Sequence, residues 1–156
     1  MKKIGTYTCR GQVTEAESEA GTPATVNLFD GRFDTGYKVT EFYVWGANAS
    51  SSSNPDVSGK LATSNNVESG VAFFNADDVR EIAWGGSAGS TDTYFNAPPG
   101  TVIDPENLVI EDLYVYARTS GSVAVNYLIV MEKYEFNTWR GALAMAKDRQ
   151  GDADGI

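Results

Sequence analysis

Four carboxylates lie close together in the sequence and could in principle support acid/base chemistry. Glycoside hydrolysis, for example, requires two carboxyl groups that flank one bond. Asp104 and Glu106 surround a proline turn, whereas Glu111 and Asp112 are neighbours in a predicted strand and therefore point to opposite faces. We therefore expect these four side chains to serve the fold rather than catalysis.

Two further acidic motifs resemble metal ligands. The segment Asp152-Ala-Asp154-Gly155 matches the start of a calcium loop, but the later ligands, including the bidentate glutamate, do not follow it. Asp77 and Asp78 are interpreted as a turn and a solvated strand edge. The sequence therefore predicts no metal site.

The chain contains no histidine and only one cysteine, Cys9. Histidine is the commonest general base and the usual partner of a serine or cysteine nucleophile, so its absence excludes conventional Ser-His-Asp, Cys-His and His-ligated zinc sites. Cys9 lies in a strand-like stretch, and we interpret it as a buried, inert thiol. We expect a protein with no enzymatic activity and no cofactor.

Aromatic side chains are the remaining candidates for ligand binding. Tyr43 and Trp45 share one face of a predicted strand with Tyr37, and Trp84 ends another strand. Such residues either stack on sugar rings or act as anchors in a core or an interface, which is their commoner role. We name Trp45, Trp84 and Tyr43 as candidate glycan-stacking residues.

The charge of the chain restricts its partners. The net charge is −9 and the isoelectric point is near 4.4, and no basic stripe is present, which argues against binding to nucleic acid. The longest uncharged apolar run, Val123 to Met131, is too short to span a bilayer, and the start of the chain lacks the apolar part of an export signal. We therefore expect no membrane partner and no export.

The placement of turn residues predicts an all-β fold. About eight apolar runs are separated by clusters of Gly, Ser, Asn, Asp and Pro, which is typical of an antiparallel β-sandwich, and we assign the jelly-roll type. The predicted strands are Lys3–Val13, Ala24–Phe29, Tyr37–Trp45, Gly59–Thr63, Val71–Asn75, Arg80–Trp84, Leu108–Ala117 and Val123–Glu135. We expect one domain over residues 1–147 and a polar, frayed tail over residues 148–156.

Two long apolar runs near the end of the sequence, Asn107–Ala117 and Ser122–Phe136, predict a long antiparallel hairpin. The second run is apolar on both sides of the strand, so both sides must be covered. One side is covered by the core, and the other side is covered either by another layer of this chain or by a neighbouring subunit. Tyr114, Tyr116 and Tyr127 are accordingly candidate interface residues.

A short C-terminal helix is predicted from a cap at Asn137 or Thr138 through Lys147, with Trp139 and Leu143 at helical spacing. This helix either closes one end of the sandwich with Trp139 as its anchor or docks on a neighbour. Trp139 and Leu143 are therefore candidate interface residues as well. Three polar segments are predicted loops that either connect strands or form a binding rim: Glu15–Gly21, Ala47–Asn54 and Gly85–Thr93.

Several segments resemble small proteins encoded by marine tailed bacteriophages. The resemblance is found in Asn27–Tyr37, Val102–Tyr114 and Val125–Tyr134, followed by Trp139–Met145. It implies a virion component, such as an accessory capsid protein, a cement or decoration subunit, or part of a fibre. No functional residues can be transferred, because the family has no catalytic motif.

The expected function is therefore that of a phage virion structural protein, assembled in the host cytoplasm. The most favoured role is an accessory capsid (cement or decoration) subunit. Its expected partners are further copies of itself, with a trimer favoured, and the major capsid protein or other virion proteins. The alternative is a glycan- or receptor-binding module of a phage fibre or tail tip.

Overall fold

The computed structural model describes residues 1–47, 56–68, 73–87, 100–121, 123–137, 139 and 142–143. Eight strands and one helix have defined bounds within these residues. They are β1 (Lys2–Val13), α1 (Glu15–Ala20), β2 (Ala24–Val26), β3 (Thr35–Gly46), β4 (Val57–Ala62), β5 (Glu81–Ser87), β6 (Gly100–Val102), β7 (Leu113–Thr119) and β8 (Val125–Glu135).

The strands form two antiparallel sheets. Sheet A has three strands in the order β1-β8-β3, and sheet B has five strands in the order β2-β7-β4-β5-β6. The predicted all-β, antiparallel fold is confirmed, and the assignment to the jelly-roll type stays a prediction.

The two sheets share one hydrophobic core. Alternate residues of β8, Val125, Ile129 and Met131 among them, are fully buried, and so are Leu113 and Val115 of β7 in the other sheet. Because alternate residues of a strand point to opposite faces, the same pattern fixes an outer face for each sheet. These two outer faces are the surfaces on which binding residues can lie.

The predicted hairpin of the two long apolar runs is wrong. β7 belongs to sheet B, where it pairs with β2 and β4, and β8 belongs to sheet A, where it pairs with β1 and β3. The chain therefore passes from sheet B to sheet A between the end of β7 and the start of β8. The apolar character of a strand requires cover on its faces, but it does not determine which strand pairs along its edges.

Helix α1 replaces the predicted acidic loop. The Thr14 hydroxyl accepts a hydrogen bond from the Glu17 amide, and the Glu17 carboxylate accepts one from the Thr14 amide. Gly21 ends the helix with a φ of 70°. This capping box and the glycine cap are visible in the sequence as Thr-x-x-Glu followed by Gly, so the helix could have been predicted.

Other boundaries differ in detail. β6 was not predicted, and Phe73–Asn75 is not a strand. Trp139, Ala142 and Leu143 have helical backbone, but the rest of the predicted C-terminal helix, the tail 148–156, and residues 48–54 and 88–93 of two predicted loops lie outside the described residues. The Trp139 side chain is 60% exposed, so it does not anchor a helix on the sandwich.

Candidate functional site

The outer face of sheet B is covered by residues from the segment between β4 and β5. Strand register places Trp84, Lys60 and Tyr116 in one row across β5, β4 and β7. Val67 and Phe73 pack over this face and form a second hydrophobic cluster with Ala62 and Tyr116. Sheet B is therefore packed on both of its faces by this chain.

Lys60 lies at the centre of this covered face with a fully buried side chain. Its ammonium donates hydrogen bonds to the backbone carbonyls of Glu68 and Phe73 and to Glu81 Oε2, at 3.3 Å. The Nζ atom also lies 5.1 Å from the centroid of the Phe73 ring and 5.5 Å from that of Tyr116. Burial lowers the pKa of Lys60, and the negative charge of Glu81 opposes that shift.

Glu81 connects Lys60 to Trp84. Its Oε1 atom accepts hydrogen bonds from the Trp84 indole, at 2.9 Å, and from the Asn75 amide, at 3.1 Å. The Trp84 ring is stacked on Phe74, with the centroids 5.1 Å apart and an interplanar angle of 11°. Trp84 is thus a structural member of this face, because one side of its ring and its N–H group already have partners.

A second ion pair lies at the end of the segment between β4 and β5. Arg80 and Asp78 form two parallel hydrogen bonds, from Nε to Oδ1 at 2.8 Å and from Nη2 to Oδ2 at 2.6 Å. Burial acts to raise the pKa of Asp78, but the hydrogen bonds from Arg80 lower it. All three N–H groups of the Lys60 ammonium donate hydrogen bonds, and the Arg80 guanidinium is paired with Asp78. We therefore interpret this cluster as structural rather than as a source of a nucleophile.

The outer face of sheet A carries half-buried aromatic and amide side chains. Strand register places Gln12, Asn126 and Trp45 in one row and Arg10, Leu128 and Tyr43 in the next. Gln12 Nε2 donates to Asn126 Oδ1 at 2.9 Å. Two of the three candidate glycan residues, Tyr43 and Trp45, therefore lie together, and the third, Trp84, is on the other sheet.

The candidate interface residues differ in how far they are buried. Tyr127 is 8% exposed and belongs to the main core, and Tyr116 is 2% exposed, with its hydroxyl bonded to the Ser64 carbonyl and the Val67 amide. Both rings are buried against residues of this chain, so they cannot contact another subunit. Tyr114 is half-buried, while Trp139 and Leu143 are exposed.

Two partly exposed aromatic pairs that sequence reasoning missed lie near β3. Phe29 and Phe33 are 43% and 49% exposed, with ring centroids 5.4 Å apart, and Tyr7 is 46% exposed with its ring edge-on to Tyr37 at 5.9 Å. We call Phe29, Phe33, Tyr7 and Tyr37 the aromatic corner. Its signal in the sequence is the pair of phenylalanines that flank Asp30-Gly31-Arg32.

Asp30 holds the aromatic corner together. Its carboxylate accepts hydrogen bonds from the Thr35 hydroxyl, the Arg32 amide and the Lys133 ammonium. Partial burial acts to raise the pKa of Asp30, but the hydrogen bonds from Thr35 and Lys133 outweigh it and lower the pKa to about 2. Lys133 in turn lies 5.3 Å above the Tyr37 ring, so one network joins the turn to the sheet.

Two of the four carboxylates that could have suggested catalysis, Asp104 and Asp112, accept hydrogen bonds from backbone amides. Asp112 Oδ1 accepts hydrogen bonds from the Leu28 and Phe29 amides, and Asp104 Oδ1 accepts one from the Glu106 amide. Cys9 is half-buried rather than fully buried, and burial raises the pKa of its thiol. Within the described ranges, no three Cys, Asp or Glu side chains group closely enough to hold a metal ion, and Asp152 and Asp154 lie outside those ranges.

Comparison of the chain with protein-family models, with curated proteins and with solved structures gives no match in any of the three. Among the described residues, no helix has the length and apolar character needed to cross a bilayer. The assignment of a function therefore depends on the surfaces described above and on the sequence segments quoted earlier.

Proposed function

We propose that this chain is a structural protein of a phage virion, an accessory capsid subunit of the cement or decoration type. It acts by associating with itself, as a trimer, and by docking on the major capsid protein or other virion proteins after synthesis in the host cytoplasm. The resemblance of four segments to phage-encoded proteins supports the origin. The aromatic corner supports the mode of action. A jelly-roll sandwich would be compatible with the phage origin and with this mode of action.

The aromatic corner is the observation that carries this proposal. Aromatic residues are enriched at the energetically dominant positions of protein interfaces because they bury a large area with few rotatable bonds. Phe29 and Phe33 expose nearly half of their surface on a turn that Asp30 holds by three hydrogen bonds. Ordering this turn costs little on binding, and each Å² of apolar surface buried contributes about 25 cal/mol before the costs of association.

Light scattering tests self-association directly. The wild-type chain at micromolar concentration is expected to have the mass of a trimer, and the double variant Phe29→Ser/Phe33→Ser is expected to have the mass of a folded monomer with a lower melting temperature, because association stabilises the folded state. Val79→Ser is the matched control, because Val79 is 44% exposed and lies in the segment between β4 and β5. A monomeric wild-type protein would remove self-association from the proposal.

Co-sedimentation with capsids at increasing salt tests the docking step. Contacts made by apolar rings are not screened by ions, so the fraction bound should change little between low and physiological salt. A steep loss over that range would show that the acidic surface of the chain, and not the aromatic corner, makes the contact.

The second candidate function is a glycan- or receptor-binding module of a fibre or tail tip. The observation in its favour is that Tyr43 and Trp45 lie on the outer face of sheet A, where Trp45 is opposite Asn126 and Asn126 is bonded to Gln12. This surface is distinct from the aromatic corner, and a virion protein can use both.

A further inference from the structure

We infer that the outer edge of β1 binds β1 of a second copy of this chain, in an antiparallel pair across a two-fold axis. The contact joins the sheets A of the two copies into one continuous sheet. It goes beyond the proposed function, because it uses the backbone of β1 and neither Phe29 nor Phe33.

β1 is a long edge strand that the described residues leave open. It has 12 residues, and within the described part of the chain its backbone pairs with β8 alone. The opposite edge of sheet A is covered at Tyr37, which exchanges backbone hydrogen bonds with Val109. It is also covered at Val39, whose N–H and C=O groups bond to the Asn107 side chain. The edge strands of sheet B, β2 and β6, have three residues each, so β1 is the better template for another strand.

The alternation of hydrogen bonds along β8 shows which backbone groups of β1 point outward. At one end of β8, the Ala124 carbonyl accepts a hydrogen bond from the Ala47 amide, and at the other end the Phe136 amide donates to Asp34. Even-numbered residues along β8 therefore bond towards β3, and odd-numbered ones bond towards β1. The register pairs the odd-numbered residues of β8 from 125 to 133 with odd-numbered residues of β1. The outward backbone groups of β1 therefore belong to Thr6, Thr8, Arg10 and Gln12.

These outward groups match those of a second β1. The register that uses all of them is an antiparallel pair centred on Cys9. Thr6 then lies opposite Gln12 of the second copy, and Thr8 lies opposite its Arg10. Every outward N–H and C=O group of these four residues has a partner in this register, whereas registers centred elsewhere leave some of them unpaired. Both threonines are exposed and β-branched, which favours extended backbone.

The distribution of charge favours the antiparallel arrangement. β1 begins with Lys2 and Lys3, and its end is followed by Glu15 in the first turn of α1. Lys2 and Glu15 are both exposed, and they lie about 40 Å apart in one copy at about 3.3 Å per residue, so they cannot contact each other. An antiparallel second copy brings the basic end of each β1 to the acidic helix start of the other. A parallel strand would place the lysines of the two copies side by side.

The contact is weaker than a core interface. Each interstrand hydrogen bond replaces bonds to water and therefore contributes little net free energy. The Arg10 side chains of the two copies are diagonal neighbours, and their like charges also weaken the contact. Pairing is therefore expected at about 0.1 to 1 mM chain, above the micromolar range in which the proposed trimer is tested.

Cys9 reports the pairing without any substitution. In the register centred on it, Cys9 lies opposite Cys9 of the second copy as a non-hydrogen-bonded pair, with Cα atoms about 4.5 Å apart. This separation falls within the range that disulfides span. The test treats the full chain at about 0.5 mM with diamide, which accepts the hydrogen atoms that the two thiols release. We expect a covalent dimer on a non-reducing gel.

Thr8 offers a variant and its matched control. Thr8→Pro removes an N–H group that points outward, so it leaves the hydrogen bonds to β8 intact and blocks pairing with a second copy. We expect the yield of covalent dimer to fall about tenfold. Thr8→Val keeps the N–H group and a β-branched side chain, so it should give the wild-type yield. Phe29→Ser/Phe33→Ser should also give the wild-type yield, whether or not the proposed trimer forms.

An exchange of charges tests the orientation and leaves the backbone of β1 unchanged. Lys2→Glu places like charges together at each end of the pair and should lower the yield about threefold. Lys2→Glu/Glu15→Lys should restore it, because opposite charges again meet between the two copies. This pair of variants decides the matter even if Thr8→Pro fails to fold.

Sedimentation equilibrium without oxidant provides the second readout. A rise in mass of wild-type protein at about 1 mM that neither Thr8→Pro nor Lys2→Glu reproduces supports the inference even where Cys9 stays reduced. Wild-type protein that shows neither a covalent dimer nor a rise in mass would overturn it. Equal dimer yields from Thr8→Pro and Thr8→Val would also overturn it, because the disulfide would then form without strand pairing.

Discussion

The two sheets of this protein use outward-pointing aromatic residues in different ways. On sheet B, Trp84 and Tyr116 lie beside the buried Lys60 and pack against residues of the segment between β4 and β5. On sheet A, Tyr43 and Trp45 lie in rows with amide and charged side chains and stay half-exposed. The segment between β4 and β5 therefore makes the outer aromatic residues of sheet B part of a hydrophobic cluster, which their positions on the strands do not show by themselves.

The largest expected effect is on the covered face, at Lys60. Lys60→Met would leave the buried Glu81 carboxylate without a cationic partner and remove the donor to two backbone carbonyls. We expect the free energy of unfolding to fall by about 3 to 5 kcal/mol, measured by urea denaturation. The control Lys2→Met changes an exposed lysine and should stay within about 0.5 kcal/mol of the wild type.

A double variant identifies the origin of that loss. Lys60→Met/Glu81→Gln removes both charges and keeps an acceptor oxygen for the Trp84 indole, so it should be more stable than Lys60→Met alone. Equal stability of the two variants would show that the lost carbonyl hydrogen bonds, and not the unpaired carboxylate, cause the destabilisation.

The next effect compares one aromatic residue of each face. Trp84→Ala removes the ring stacked on Phe74 and the hydrogen bond to Glu81, and we expect a loss of about 3 kcal/mol. Tyr43→Ala should cost about 1 kcal/mol, because the ring is half-exposed and lies outside both hydrophobic clusters of the described residues. Equal losses in denaturation experiments would contradict the distinction between the faces.

A further effect is pH-dependent and again belongs to the covered face. Burial raises the pKa of Tyr116 to about 12 from an ordinary value of 10, so the folded state holds this proton more tightly than the unfolded state. Its contribution to stability is complete below pH 10 and is lost as the pH rises through about 12. Across these two units the loss amounts to about 2 to 3 kcal/mol.

Tyr116→Phe isolates this contribution. The variant loses the hydrogen bonds with Ser64 and Val67, which should cost about 1 to 2 kcal/mol at neutral pH. Its stability should then fall less steeply than that of the wild type between pH 10 and 12. Parallel curves for the two proteins would show that Tyr116 is not the group that titrates.

The sequence predicts the strands better than it predicts their partners. The alternation of Val125, Ile129 and Met131 is a local property, and the structure shows those residues on one buried face. Whether β8 pairs with β7 or with β1 and β3 depends on contacts between distant parts of the chain, for which the sequence has no local signal. The predicted hairpin was wrong for that reason.

The same limit applies to the candidate binding residues. The spacing of Tyr43 and Trp45 correctly predicts a shared face, but the prediction that Tyr37 lies on that face is wrong, because a register shift between Val39 and Glu41 puts Tyr37 on the face of the buried Val39. Nothing local to Trp84 indicates that Phe74, ten positions earlier, will stack on it. The pairing of Gln12 with Asn126 depends on strand register between distant parts of the chain and requires the structure.

Our central proposal is that the chain is a component of a phage particle, held there by surface that its own fold leaves exposed. The most direct test is electron microscopy of purified particles of a phage whose genome encodes the chain, labelled with gold-conjugated antibody against the chain. We predict many labels distributed over the head. Label confined to the tail tip would favour the receptor-binding alternative, and purified particles that carry no label would contradict the account.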